Sequence, residues 1–247
     1  MQPMFDRLRL ERYHWQSLLW WLPMLTMALL LKQHYSVADT AGLQWMLQPL
    51  ADLLSLISGH DFQRSVNGEW YSASADVSLV KACAGINFML MSLLAYAWVF
   101  RPDRNEQPQT VLWSITQLLL LVAVFIAAWA TTLFANTLRI WLAMYLQADD
   151  SILAGLGIDG RQLHRFIGIA VYLLILSIQM LPSRRIARWQ KAAIPILLYL
   201  LLMVLVPLLT GNALHQPMFF IEHVAQLLLG LVVVQGVWYL VVLRRGV

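Results

Sequence analysis

The residues that could do chemistry begin with a single cysteine, Cys83, in the segment Lys81-Ala82-Cys83-Ala84-Gly85-Ile86-Asn87. A lone cysteine cannot close an intramolecular disulfide, so it is either a small buried hydrophobe or a nucleophile. In the first turn of a helix, a thiol feels the positive end of the helix dipole and unpaired backbone N–H groups. A nearby cation then lowers its pKa toward thiolate. Lys81, two residues away, is one such cation. Arg139, in Phe134-Ala135-Asn136-Thr137-Leu138-Arg139-Ile140, is a second, able to hold a developing oxyanion or clamp a carboxylate bidentately. Asn136 precedes it by one helical turn and shares its face, so it can orient Arg139 or donate to the oxyanion. His164, in Leu163-His164-Arg165-Phe166-Ile167-Gly168, can take the thiol proton and return it to a leaving amine. Each has an ordinary alternative. The cysteine can simply pack, the histidine can be a solvated helix-start residue, and the arginine can snorkel to headgroups. An arginine at the centre of a membrane helix costs roughly 2.5–3.5 kcal/mol, which makes Arg139 the residue hardest to dismiss.

The elements that must position these groups are set by the solvent. Of 247 residues, 60% are hydrophobic and 12% charged, about half the charge of an ordinary soluble domain. That composition excludes a cytosolic enzyme, a nucleic-acid binder and a disordered scaffold. The net charge of +4 reads as the Lys/Arg excess expected on the cytoplasmic side of a membrane protein. A crossing needs about 20 mostly apolar residues, and six stretches qualify: 15–31, 80–100, 111–130, 163–181, 192–210 and 221–243. The first reads as a retained anchor, because Trp20 and Trp21 interrupt it and no small-x-small cleavage site follows before Gln33 and His34. Two shorter stretches, 43–57 with Pro49 and Asp52 and 132–146 with Asn136 and Arg139, read as interfacial, re-entrant or bundle-buried helices. The fold class predicted is all-α: a single integral membrane domain, a polytopic transmembrane helix bundle with six crossings and up to eight.

Loop charge gives the sidedness. Basic segments (Arg7, Arg9, Arg12; Arg101, Arg104; Arg184, Arg185, Arg188, Lys191; Arg244, Arg245) alternate with acidic ones (Asp39, Asp52, Asp61, Glu69, Asp76; Asp149, Asp150, Asp159). Both termini are then cytoplasmic, and Cys83, Arg139 and His164 all fall at the outer face although none was used in the count. Within the first outer loop, 62–66 and 69–72 flank Asn67-Gly68, a strong hairpin signal. A small outer-face β-hairpin is expected there, followed by a linker over 74–78. Glu222 and His223 open the last crossing on the same face, where they could line a substrate access path or cap the helix. His60 and His215 are loop residues. No His/Cys/carboxylate spacing typical of zinc or calcium is present, and Gly155, Gly157 and Gly160 lack the strand a phosphate loop needs. No metal and no cofactor is expected.

Three blocks in order, Ala82-Cys83-Ala84-Gly85-Ile86, then Phe134–Ile140, then His164 followed by Gly168, resemble the motif blocks of the exosortase/archaeosortase family. The resemblance covers about 15–181, with 192–247 as two additional C-terminal crossings. Ala84 stands where members usually carry Ser, and a histidine at the third position is similar to the bacterial exosortase branch. The resemblance implies a multi-pass cysteine protease or transpeptidase with Cys83 as nucleophile and Arg139 and His164 as catalytic partners. Its implied partners are exported proteins bearing a C-terminal sorting signal: a short PEP-like motif, a hydrophobic helix and a basic tail. Two other classes fit the composition. A lipid-linked glycan-handling enzyme would use outer-loop carboxylates such as Asp149, Asp150 and Asp159. A small-solute transporter would show inverted repeats and mid-membrane ionisable groups, and neither is visible.

Overall fold

The structure, a computed structural model, describes residues 2–101, 111–147, 160–184, 186–211 and 217–238. Arg104, Asp149, Asp150, Gly155, Gly157, Asp159, Arg185, His215, Arg244 and Arg245 lie outside the described residues, as do the side chains of Arg7, Arg9 and Arg12. Helix α1 (Gln2–Val37) leads through a 3₁₀ turn (Ala41–Leu43) into α2 (Gln44–Ser58). Strands β1 (Gln63–Arg64), β2 (Trp70–Ser72) and β3 (Val77–Leu79) follow, then a second 3₁₀ turn (Lys81–Ala84) and α3 (Ile86–Val99). Helix α4 (Val111–Gln147) precedes α5 (Gly160–Met180) and α6 (Arg188–Leu200), which continues through a π turn (Leu201–Leu205) into α7 (Val206–Leu209). The last element is α8 (Pro217–Trp238).

Among the described residues, four helical stretches are long and apolar enough to cross a membrane: Lys81–Val99, Ile115–Gln147, Gln162–Met180 and Arg188–Leu209. A shorter apolar stretch, Phe220–Val233, lies in α8. Leu29, Leu118, Leu119, Leu197 and Leu209 are all exposed, a density of large apolar side chains that water does not tolerate and lipid does.

Cross-helix contacts give the helix directions. Trp20 Nε1 donates to Ala97 O (2.9 Å) and Lys32 Nζ to Asn87 Oδ1 (2.9 Å), so α1 and α3 run antiparallel. Gln147 Nε2 donates to Gly160 O (2.8 Å), while Gly168 faces Arg139, making α4 and α5 antiparallel. Phe88 stacks on Tyr172 (centroids 4.3 Å apart) and Gln179 Nε2 donates to Ser92 Oγ (2.7 Å), so α3 and α5 are parallel. Arg165 pairs with Glu222 and Gly230 abuts Ile169, which makes α8 parallel to α5. The end of α1, the start of α3, the C-terminal part of α4 and the starts of α5 and α8 therefore share one end of the bundle.

That end is covered by α2 and the sheet. Helix α2 buries Met46, Leu47, Leu50, Ala51 and Leu54, an apolar stripe of helical period, and stops at Gly59 in the left-handed region (φ 70°). At 15 residues it is too short to cross. Trp70 Nε1 donates to Gln44 Oε1 (2.8 Å), and Gln44 Nε2 donates to Gly68 O (2.6 Å), tying α2 to the sheet.

Three sequence expectations need correction. The stretches 111–130 and 132–146 form one unbroken helix of 37 residues. No Gly or Pro interrupts them, and Asn136 and Arg139 turn into the bundle toward α5 rather than ending the helix. At about 1.5 Å per residue, α4 is longer than a hydrocarbon core of about 30 Å. The Asn67-Gly68 turn forms as expected, with Gly68 at φ 79° and Gly68 N donating to Ser65 O (2.9 Å). The hairpin is nevertheless a three-stranded antiparallel sheet, order β1-β2-β3, because the expected linker contributes β3. Cys83 lies in the 3₁₀ turn before α3 and not in the helix's first turn.

Tyr71 donates its hydroxyl to Asp76 Oδ1 (3.1 Å) across the β2–β3 turn, and that bond, with the carboxylate's charge, raises the phenol above its ordinary value. The neutral phenol therefore favours the fold up to its ordinary pKa, and that contribution fades as the pH rises past the raised one; Asp76→Asn is expected to lower the phenol's ionisation midpoint in an ultraviolet titration. A Cβ at Gly230 would fall 2.7 Å from Ile169 Cγ2. Gly230→Val is expected to lose about 1–3 kcal/mol through overpacking, seen as a lower unfolding temperature in detergent. Gly236→Ala, where an added Cβ meets nothing within 4 Å, should unfold no earlier than the parent.

Candidate active site

Cys83 is placed by the exit from the sheet. Leu79 is buried, Val80 is extended, and the 3₁₀ turn follows with Cys83 N donating to Val80 O (2.8 Å). The thiol is half-buried and packs against the cluster of α2, the sheet and the start of α3. Gly85 then takes a left-handed conformation (φ 67°) that turns the chain into α3. A Cβ there would fall 2.7 Å from Asn136 Cγ, so glycine is demanded by both backbone and space.

Lys81 is occupied by the end of α1: its Nζ donates to Ala38 O (2.6 Å) and Ser36 O (3.4 Å). It also sits 5.1 Å from the Tyr35 ring centroid, with Lys32 Nζ 5.9 Å from the same ring. The lysine expected to act on the thiol thus anchors α1 beside it.

Asn136 and Arg139 meet one residue of α5. The Tyr172 hydroxyl donates to Asn136 Oδ1, and the Arg139 guanidinium carbon lies 5.4 Å from the Tyr172 ring centroid. Gly168 makes room, since a Cβ there would sit 3.1 Å from Arg139 Cδ. With its oxygen engaged by Tyr172, the Asn136 amide turns Nδ2 toward Gly85. Both Asn136 Nδ2 and Arg139 Nε are buried without a hydrogen-bond partner. Leaving such donors unpaired costs about 1–3 kcal/mol each, a cost that marks a site rather than a packing contact.

Electrostatic reach links the group. Tyr172 interacts with Arg139, Cys83 and Tyr35, Tyr35 interacts with Cys83 and Arg139, and His164 interacts with Arg139. Arg139 is the common member between the cysteine turn and the histidine. His164, Arg139 and His223 line a cavity of about 490 Å³ that also takes residues from α1, α3, α6, the π turn and α7. Glu222 is half-exposed and pairs with Arg165 at 3.3 Å. His60 lies apart, its Nδ1 hydrogen-bonded with Ser74 Oγ (2.9 Å) at the sheet. Among the described residues no group of three or more His, Cys, Asp or Glu comes together to hold a metal ion.

Sequence reasoning missed Tyr172, Tyr35 and Lys32. Tyr172 had a signal: His164, Gly168 and Tyr172 form an i, i+4, i+8 row, a packing ridge of α5. Tyr35 and Lys32 had none, because their neighbours on α3 and in the Cys83 turn are distant in sequence.

Fold and site together define a mostly helical protein with four helices of membrane-crossing length and apolarity, carrying a buried polar cluster at one end. No family model matches the chain, nor does any curated protein or any solved structure.

Tyr172→Phe leaves Asn136 Oδ1 without its donor and is expected to cost about 1–3 kcal/mol. Gly85→Ala adds a left-handed backbone penalty of roughly 1–2 kcal/mol to an overlap with Asn136, so it should unfold at the lower temperature of the two. Thermal unfolding in detergent, followed by tryptophan fluorescence, checks the order.

Proposed function

We propose that this chain is a membrane-embedded cysteine endopeptidase or transpeptidase of the exosortase type. It cleaves C-terminal, PEP-CTERM-like sorting signals of exported proteins at the outer face of the cytoplasmic membrane and passes the new carboxyl end to a surface acceptor. What supports the reading is that the Cys83 turn, Arg139 and His164 come from separate segments to one end of the bundle, with Arg139 and His164 lining one cavity, beside two buried donors with no partner.

In this reading α1, α3, α4, α5, α6–α7 and α8 are six crossings. With six crossings, the loop charges support a topology that has both termini in the cytoplasm and the polar cluster outside. The substrate's hydrophobic helix packs against the bundle with its basic tail inward. An apolar groove between α1 and α4, lined by Met27, Leu30, Phe125 and Trp129, offers it a seat.

The Cys83 thiolate attacks the scissile carbonyl carbon. The carbonyl π electrons move to oxygen, and Arg139 and Asn136 Nδ2 donate to the resulting oxyanion. His164, having accepted the thiol proton, delivers it to the leaving nitrogen as the C–N bond breaks. A thioester remains on Cys83, resolved by an amine, a hydroxyl or water, which regenerates the thiol. Tyr172 positions both donors, its hydroxyl holding the amide and its ring the guanidinium.

The test pairs purified protein with a signal-bearing substrate and reads the product terminus by mass spectrometry. Cys83→Ala should abolish processing while the protein still inserts and folds, and processing retained by that variant would refute the proposal. Asn136→Ala should lower the rate of the chemical step by about 10²–10³-fold, the usual loss of one oxyanion donor.

A further inference from the structure

The cavity beside Arg139 is lined by two kinds of surface. On one side stand the cations Lys32, Arg139 and Arg165, with no carboxylate among the lining residues. Glu222, outside the lining, pairs with Arg165, so Lys32 and Arg139 are the charges without a carboxylate counterpart in the described contacts. Lys32 donates to the neutral Asn87 Oδ1, and Arg139 Nε is buried and unpartnered. Facing them, Leu202, Met203, Val206 and Phe220 make an aliphatic and aromatic wall.

That wall is built by the π turn, in which Val206 N donates to Leu201 O. A π turn widens a helix locally and often marks a functional site. Leu201, Leu205 and Leu209 on the same rod are exposed, so the wall is one helix thick toward the surroundings. Cys83 is not among the residues that line the cavity. Cations set against an apolar wall fit an amphiphile with an anionic head.

We propose that this cavity holds one anionic phospholipid, its phosphate on Lys32 and an acyl chain along the π-turn wall. The inference rests on the membrane reading and not on chemistry at Cys83. The probe is phosphatidylglycerol, with phosphatidylcholine as the neutral comparison. Protein is equilibrated with mixed vesicles of the two, extracted into mild detergent, and analysed for retained lipid by native mass spectrometry. The parent chain is expected to keep one phosphatidylglycerol in preference to phosphatidylcholine. Lys32→Gln should weaken that retention by about tenfold or more, the size of one lost charged contact, while Lys32→Arg, which keeps the charge, retains it. Cys83→Ala should hold the lipid as well as the parent, so loss of processing and loss of lipid report separately.

Equal retention of phosphatidylcholine, or unchanged retention by Lys32→Gln, would overturn the proposal. Release of the lipid by millimolar inorganic phosphate alone would reduce the site to a bare anion pocket and overturn the apolar half of it. Displacement by a short acidic peptide in place of lipid would reassign the cavity to a protein substrate.

Discussion

One tyrosine hydroxyl meeting one asparagine carbonyl holds the polar end of this bundle together. Tyr172 of α5 donates to Asn136 of α4, its ring carries the Arg139 guanidinium, and it stacks on Phe88 of α3. Three helices are locked by one side chain. In surroundings too apolar to hydrate polar groups, an asparagine and an arginine on one helix face must find partners in the bundle. Here they find the same partner. Rotating α4 by a fraction of a turn would strand both, so the contact fixes the angle of α4 as well as its distance from α5.

Close approach is what makes the contact possible, and two glycines permit it. Gly85 lets α4 lie against the turn that carries Cys83, and Gly168 lets Arg139 cross the face of α5. A β-carbon at either position pushes α4 outward from one neighbour. The same approach gives the proposed chemistry its oxyanion donors, because an amide held by its oxygen has no freedom to swing its nitrogen away from Gly85. Rigidity is bought here by exhausting the acceptor side of the amide while leaving its donor side unspent.

Much of the helix layout was legible, and the reason is the medium. Helices in an apolar medium are apolar all round, so stretches such as 80–100 stand out as runs without any periodicity argument, and α3 occupies Ile86–Val99. The Asn67-Gly68 turn was equally readable, since its signal is local. The error at 132–146 has the opposite character. Asn136 and Arg139 lowered the apolar average there, and the residue both of them meet, Tyr172 of α5, is distant in sequence. The strand β3 was missed because three residues paired to β2 carry no pattern of their own. Cys83 was placed one element too late, in a helix start, because the left-handed turn at Gly85 separates it from α3. Residue types announced Cys83, Arg139 and His164; nothing local announced Tyr35, whose neighbours come from the Cys83 turn and from α4.

Arg139 stands between two environments that are chemically unlike. Toward the sheet it reaches the group containing Tyr35, Tyr172 and Cys83; toward α6–α8 it lines a cavity with His164 and His223. A guanidinium suits this position better than an ammonium, because its donors spread over a planar fork and can serve different acceptors at once. The two C-terminal helical segments, which the three sequence blocks do not include, supply the far wall of that cavity. They are therefore part of the chamber that Arg139 and His164 face, and a chain ending at 181 would leave His164 lining an open surface. In the proposed mechanism His164 must exchange a proton with a peptide nitrogen and not with bulk water. The wall along α6 and α7 covers one side of that histidine, and in that mechanism it is how the C-terminal helices would serve the chemistry at the start of α3.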